Sequence, residues 1–216
     1  LNGQDGWRAG RDFDNHGMMP QVVTAPDPTR GAQSVRLEIG DHEDAASWME
    51  RELDGDLLAG GNTLITVSFD IYREPNASGR LLNLWWYWLD PGTPSIGLQW
   101  HALQQTRPFG FSGGAGGAPT VTGRWATVRM QWDFAAGCAS SWYDGQPVDV
   151  CLPINPPGAP AFDVLTGWGI ELRNDVATGL GPDAAWIDNV VITAVPEPAA
   201  GGLLVAGLAL LRRRLR

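Results

Sequence analysis

Residues 126–134 read Ala-Thr-Val-Arg-Met-Gln-Trp-Asp-Phe, a stretch in which every second residue is apolar and the residues between are polar. Successive side chains of a β-strand point to opposite faces of a sheet, so this alternation is typical of a strand with one buried face. The alternation recurs in three other segments, at 35–39, 65–72 and 168–173. Turn-forming clusters separate the strands, at 74–79, 90–95, 110–123 and 152–160. No helical period persists for ten residues before Pro198, so the sequence predicts an all-β antiparallel sandwich.

A β-hairpin is predicted around the dipeptide Asp144-Gly145, which is typical of a two-residue hairpin turn. This turn places Tyr143 opposite Gln146, and counting outward along both strands places Cys138 opposite Cys151. The Cα atoms of such a pair lie within the range that a disulfide can bridge. We therefore expect a disulfide and an oxidising compartment, with two reduced cysteines in the core as the alternative.

The segment 81–103 carries the most distinctive chemistry of the chain. One parity of its two predicted strands is apolar and is expected to face the core: Leu82, Leu84, Trp86, Trp88, Ile96, Leu98 and Trp100. The other parity carries aromatic rings, amides and an imidazole: Asn83, Trp85, Tyr87, Gln99 and His101. Sugars stack their C–H faces on aromatic rings and hydrogen-bond through their hydroxyl groups, so this second set suits a carbohydrate.

Polar residues of other strands are candidates for the same groove. They are Ser68, Asp70, Tyr72, Arg129, Gln131, Glu171 and Arg173. Together with the 81–103 set they form the candidate carbohydrate-binding site. The alternative is that these residues lie under a loop or on a solvated face, where exposed aromatics can also mark a protein contact.

The last 22 residues differ from the rest of the chain. Val195-Pro196-Glu197-Pro198 precedes an apolar run at 199–211, and Arg212, Arg213, Arg214 and Arg216 follow it. The prolines set the upstream end of a short apolar helix, because proline cannot continue a helix backwards. At 13 residues this helix covers roughly 20 Å of a hydrocarbon core about 30 Å thick. The arginines should hold its C-terminal side in the cytoplasm, which leaves residues 1–194 outside.

The composition fits one exported, acidic domain over residues 1–194. That segment holds 11 arginines against 23 acidic residues, a balance that repels nucleic acid. With 11 tryptophans and 44% hydrophobic residues the chain can bury a sizeable core. The sequence starts at Leu1 without an N-terminal signal peptide, and we interpret this end as processed or truncated.

The tail resembles the PEP-CTERM sorting signal, in which a Pro-Glu-Pro motif, a hydrophobic helix and a basic tail close an exported bacterial protein. The matching residues are Pro196, Glu197 and Pro198, the helix 199–211 and the tail 212–216. The resemblance implies a Gram-negative bacterium, an exosortase-type transpeptidase as partner, and transient anchoring in the inner membrane before delivery to the cell envelope, outer surface or matrix. The alternatives are a plain membrane anchor or a helix packed on the domain.

The domain resembles the concanavalin A-like, laminin G-like jelly rolls in three stretches. Gly123-Arg124-Trp125-Ala126-Thr127-Val128 followed by Trp142-Tyr143-Asp144-Gly145-Gln146-Pro147-Val148 looks like the superfamily's tryptophan strand and Asp-Gly hairpin. The segments 3–7 and 31–37 look like the opening strands, and 186–192 resembles the closing strand. The resemblance implies a jelly-roll sandwich, which alone does not decide function. It also implies a structural Ca²⁺ at Asp188 as the one possible cofactor.

Two enzyme families of this superfamily were compared with the sequence. Laminarinase-type hydrolases use an E-x-D-x-E strand, because retaining hydrolysis needs two carboxylates about 5 Å apart. Residues 52–56 only approach it, since the third acid is Asp56 and Gly55 suggests a turn. Alginate lyases use a Gln-x-His strand, which Gln99-Trp100-His101 matches, but their tyrosine motif has no counterpart here. We therefore expect a non-catalytic, exported domain that binds carbohydrate or matrix polysaccharide; the alternatives are a structural surface protein, or a lyase or glycoside hydrolase.

Overall fold

The computed structural model describes residues 7–11, 15–74, 121–154, 167–173 and 182–196 with their side chains, and 81–90, 93–102 and 109–111 by their strands and pairing. Within these residues the chain forms thirteen strands. They are β1 (Trp7–Arg11), β2 (Gly17–Thr24), β3 (Gln33–Ile39), β4 (Ala46–Glu52), β5 (Asn62–Arg73), β6 (Leu81–Asp90), β7 (Thr93–Ala102), β8 (Phe109–Phe111), β9 (Trp125–Asp133), β10 (Cys138–Tyr143), β11 (Gln146–Pro153), β12 (Gly167–Arg173) and β13 (Asp183–Pro196). Two short 3₁₀ turns occur at Pro28–Arg30 and Ala59–Gly61.

The strands form two sheets. The six-stranded sheet has the order β1-β4-β12-β6-β7-β8, and the seven-stranded sheet has the order β11-β10-β9-β5-β13-β3-β2. Every described pairing between neighbouring strands is antiparallel. The predicted all-β antiparallel sandwich is therefore confirmed.

The core lies between the two sheets and contains the apolar residues of the alternating segments. On β9 and β5 the buried set is Ala126, Val128, Met130, Trp132, Ile65, Val67, Phe69 and Ile71. The six-stranded sheet contributes Trp168, Ile170 and Leu172, each with no exposed surface. Trp168 contacts Phe69 of the opposite sheet at a ring-centroid distance of 6.1 Å. Burying each such side chain stabilises the fold by about 1.5 to 3 kcal/mol, so these strands hold the sheets together.

The hairpin prediction is confirmed at its turn and wrong further out. Tyr143 pairs with Gln146 as expected, but Cys138 pairs with Pro153 instead of Cys151. The difference arises from two β-bulges, each of which adds one residue to β11. Cys151 takes a left-handed backbone conformation with φ of 52°.

The disulfide itself is present between Cys138 and Cys151, whose Cα atoms lie 4.7 Å apart. The bulges therefore bring the cysteines together diagonally rather than face to face. β11 is an edge strand of its sheet within the described residues. Pro147 and Pro153 have no backbone N–H, and at an edge this absence deprives no outer strand of a hydrogen bond.

β6 pairs with β12 in the six-stranded sheet. Leu82, Leu84 and Trp86 pair with the buried Leu172, Ile170 and Trp168, a register consistent with the predicted core-facing set, while their side chains lie outside what the structure describes. On β7 a register shift between the Trp85 and Tyr87 pairs adds one residue, so Ile96 lies opposite Tyr87. The direction of the Ile96 side chain lies outside what the structure describes, so its place in the core-facing set stays a prediction.

The C-terminal strand is longer than the predicted domain boundary at residue 194. Val195 pairs with Leu64 and Pro196 with Asn62, so β13 continues two residues into the predicted sorting segment. The predicted helix 199–211 and the arginine tail lie outside the described residues. Among the residues that the structure does describe, no helix has the length and apolar character needed to cross a membrane.

The disulfide should contribute measurably to stability. Replacing both Cys138 and Cys151 by serine is expected to lower the free energy of unfolding by roughly 3 kcal/mol, because the cross-link closes a short loop in the unfolded chain. Urea denaturation monitored by tryptophan fluorescence measures the difference. The control is Ser140→Ala on the same hairpin, which removes only the hydroxyl that accepts a hydrogen bond from the Cys151 N–H. A double-serine variant as stable as the wild type would contradict the expectation.

Candidate functional site

The predicted site residues fall on the outer faces of two different sheets. The six-stranded sheet carries Asn83, Trp85, Tyr87, Gln99, His101, Glu171 and Arg173. The seven-stranded sheet carries Ser68, Asp70, Tyr72, Arg129 and Gln131. Because the core separates these two outer faces, the two sets do not line one groove. The sequence had predicted a shared groove.

The outer face of the six-stranded sheet brings its set together in rows. The pairing register places six residues side by side across all six strands: Gly10, Trp48, Glu171, Asn83, His101 and Gly110. Neighbouring strands lie about 4.8 Å apart, so the row is about 24 Å long. An aromatic residue, an acid, an amide and an imidazole position thus follow one another along a line perpendicular to the strands.

A second row runs parallel to the first. It contains Arg8, Glu50, Gly169, Trp85 and Gln99 in consecutive strands. A third and shorter row contains Glu52, Gly167 and Tyr87. We call the three rows together the row face. The glycines of β12 lie between the acids of β4 and the aromatic positions of β6 and contribute no side chain of their own.

Arg8 of β1 was not predicted as a binding residue, and neither were three row-face residues of β4, namely Trp48, Glu50 and Glu52. Their strand does not show the alternation of a half-buried strand, because its inward positions include the polar Ser47 and Arg51. Ser47 is fully buried, and its hydroxyl donates a hydrogen bond of 2.6 Å to the Met18 carbonyl. A polar residue on the inward side and a tryptophan on the outward side reverse the usual pattern.

Trp48 is half-buried and its indole ring lies directly over Gly10 of the neighbouring strand. A Cβ atom at Gly10 would come within 2.4 Å of the indole Cε2 and Cζ2 atoms, far inside van der Waals contact. The absence of a side chain at Gly10 therefore permits the position of the Trp48 ring. The glycine is required here by a close approach rather than by its backbone conformation.

The described charges of the row face are mainly acidic. Arg8 forms an ion pair of 2.5 Å with Glu52. Arg173, which lies on the same sheet beyond the three rows, forms one of 3.0 Å with Asp44. Burial raises the pKa of the Glu50 carboxyl, an effect that Arg8 opposes and Glu52 reinforces. With Glu171 the face carries more carboxylates than guanidinium groups, so it does not attract polyanions.

Asp70 and Tyr72 of the seven-stranded sheet support the segment 25–31. Asp70 is only 4% exposed. It accepts hydrogen bonds from Thr127 Oγ1 at 2.6 Å and Asn189 Nδ2 at 2.8 Å, and Arg30 lies 3.4 Å away. Tyr72 packs edge-on against Trp125 and Trp186, with ring centroids 5.7 Å apart in both cases.

These contacts tie the segment to the sheet at two points. Trp125 Nε1 donates a 2.7 Å hydrogen bond to the Asp27 carbonyl, and Asn189 Nδ2 approaches the Arg30 carbonyl. Asp70 and Tyr72 therefore lie beneath a loop, which is the alternative stated in the sequence analysis. Arg129 remains exposed, lies 4.8 Å from the ring centre of Trp142 and donates to Gln131.

Asp188 is the predicted position of a structural calcium ion. Asp188 Oδ1 accepts a hydrogen bond from the backbone N–H of Asn189. No group of three or more His, Cys, Asp or Glu residues is arranged around a metal position in the described part of the chain. The cation beside the carboxylate of the neighbouring Asp70 is the guanidinium group of Arg30. A calcium ion at Asp188 therefore stays a prediction.

The acids at 52–56 do not form the strand motif of a retaining hydrolase. Glu52 is the last residue of β4, and Gly55, with φ of 130°, lies in the turn that follows. The Asp56 side chain accepts a hydrogen bond from the Leu58 N–H within the same turn. The three acids therefore do not project from one strand face, as paired hydrolytic carboxylates require.

No protein-family model matches the sequence, and neither does a curated protein sequence. Several solved structures are similar in fold. A sialidase gives a TM-score of 0.59 at 16% identity over 88% of this chain, which corresponds to only 17% of the sialidase chain. The cellulose-induced protein Cip1 gives 0.56 at 13% identity, covering 90% of this chain and 94% of that one. The exoplasmic/lumenal domain of VIP36, in its Ca²⁺/Man-bound form, gives 0.53 at 12% identity, covering 90% and 85%. At these identities the likeness establishes the fold alone.

Proposed function

We propose that the row face of the six-stranded sheet binds a carbohydrate and performs no catalysis. The observation that carries this proposal is the register, which brings Trp48, Asn83 and His101 into one row and Trp85 and Gln99 into the next. Aromatic residues beside amides provide both stacking and hydrogen-bonding positions for a sugar. The VIP36 domain, solved in a Ca²⁺/Man-bound form, is a protein of similar fold with a sugar ligand.

The proposed ligand is a linear and electrically neutral polysaccharide. A row of about 24 Å has room for several consecutive sugar units along one direction. The carboxylates Glu50, Glu52 and Glu171 disfavour a polyuronate, because like charges repel across a partly desolvated surface. The excess of acidic residues over arginines in residues 1–194 also disfavours a negatively charged polysaccharide.

The two alternatives differ from this proposal in testable ways. A structural surface protein would bind no glycan at all. A hydrolase or lyase would need an acid and a base that converge on the bound sugar, and the acids of 52–56 do not supply such a pair. Cleavage products in a mixture of protein and polysaccharide would therefore favour an enzyme.

We further propose that the segment 195–216, whose first two residues belong to β13, is a PEP-CTERM sorting signal that directs the domain to the cell envelope of a Gram-negative bacterium. Support comes from the order of Pro196, Glu197 and Pro198, the apolar run 199–211 and the arginine tail. The Cys138–Cys151 disulfide suits an oxidising compartment outside the cytoplasm. An exosortase-type enzyme would be the processing partner, with the inner membrane holding the helix before processing.

Trp48→Ala is expected to weaken glycan binding at least fivefold, since the stacking of one aromatic ring is worth roughly 1 kcal/mol beyond its buried area. The matched control is Trp142→Ala, which removes a half-buried tryptophan from the outer face of the other sheet. This control should bind as the wild type does. Affinity electrophoresis with a neutral β-glucan, a mannan, a xylan and a polyuronate measures both effects.

Three outcomes of that experiment contradict parts of the proposal. Loss of binding in Trp142→Ala alone would move the site to the seven-stranded sheet. Preference for the polyuronate would overturn the neutral ligand class. Absence of binding to every polysaccharide would favour a structural surface protein.

The sorting proposal predicts a change of location on truncation. Removing residues 197–216 leaves β13 complete, because Pro196 is its last residue. In a Gram-negative host that exports the domain, fractionation should find the truncated protein in soluble form and the full chain with the membranes. A truncated protein that stays in the membrane fraction would contradict the proposal.

A further inference from the structure

A cleft of about 290 Å³ opens between the two sheets, away from the row face. It lies where β1 and β4 of one sheet face β2, β3 and β13 of the other. Its apolar wall includes Trp7 and Met49 from the six-stranded sheet and Val22, Val35 and Ile187 from the seven-stranded sheet. The volume is at the lower end of the range of small-molecule pockets and roughly twice that of an engineered cavity that binds benzene.

Arg51 lines this cleft and faces inward. In the register it lies between Trp7 and the fully buried Trp168, so it occupies a core-facing position of β4. Its guanidinium carbon is 5.9 Å from the ring centre of Trp7. Arg51 is partly exposed in the open cleft, so water solvates part of its charge. An anion that enters the cleft would add a charge-assisted hydrogen bond to the guanidinium.

Within the described residues no carboxylate forms an ion pair with Arg51. Six other arginines of that part each have one, and these pairs are Arg8–Glu52, Arg30–Asp70, Arg36–Glu38, Arg73–Asp183, Arg124–Asp144 and Arg173–Asp44. Arg11, at the exposed end of β1, has none among the described residues. The exposed Arg129 lies over Trp142 in full contact with solvent. Arg51 thus combines inward orientation with the absence of an acidic partner.

We propose that the cleft is a second ligand site, which binds a small monocarboxylate with an apolar body. The carboxylate would pair with Arg51, and the apolar body would lie against Trp7, Met49 and Val35. Asp188 also lines the cleft, so the ligand's single negative charge would have to lie at Arg51, and a second one would be repelled. This inference concerns the space between the sheets and is independent of carbohydrate binding on the row face.

Phenylacetate and phenylacetamide test the proposal as a pair, because they have the same shape and differ in charge. The readout is the indole N–H resonance of Trp7 in the full chain, labelled with ¹⁵N and assigned with Trp7→Phe. Phenylacetate should shift this resonance in a saturable way, and phenylacetamide should bind at least tenfold more weakly. Arg51→Gln should remove that preference. Arg129→Gln, which changes a different arginine–tryptophan contact, should leave it intact.

The two ligands are compared on the wild type, so the test holds even where Arg51→Gln destabilises the fold. Equal affinity for both probes, or no saturable shift of Trp7 up to the solubility limit of phenylacetate, would overturn the proposal. Trp48→Ala should leave phenylacetate binding unchanged. Failure of the glycan site and failure of this cleft are therefore distinguishable.

Discussion

The inward packing of β12 is the constraint on which the rest of the structure depends. Trp168, Ile170 and Leu172 have no exposed surface, and Trp168 contacts Phe69 across the core and Trp7 at the sheet edge. Because side chains alternate along a strand, these three residues force Gly167, Gly169 and Glu171 to the outer face. Pairing with β4 and β6 then fixes which residues stand beside them. A slip of one residue would reverse both faces at once, at the cost of burying Glu171 and exposing Trp168.

The two outer faces of the sandwich serve different purposes as a result. On the seven-stranded sheet, Asp70 and Tyr72 hold the segment 25–31, and the buried position of Asp70 is satisfied by hydrogen bonds from Thr127 and Asn189. On the six-stranded sheet, Gly10 makes room for the Trp48 ring, and the acids of β4 set the sign of the charge. On the first face these two residues support the fold, whereas the proposed function places the ligand on the second face.

The sequence predicted what depends on local pattern. The alternation of β5, β9 and β12 identified the inward residues, and Asp144-Gly145 located its turn, because both signals lie within a few neighbouring residues. It did not predict the bulges of β11, since the left-handed conformation of Cys151 has no local sequence signal. Alternation also distinguishes inward-facing from outward-facing residues of a strand, but it does not indicate which of the two sheets the strand joins. For that reason the prediction placed Asp70 and Glu171 in the same groove. Trp48 was not predicted, because the inward positions of its strand include the polar residues Ser47 and Arg51.

The central claim is that inward packing of β12 makes the outer face of its sheet the ligand surface. Titration of the ¹⁵N-labelled protein with a neutral oligosaccharide, followed through backbone amide resonances, tests this most directly. The account predicts that shifts concentrate at Trp48, Glu50, Gly169 and Glu171, while the amides of Ser68, Arg129 and Trp142 stay unchanged. Shifts confined to the seven-stranded sheet would contradict it.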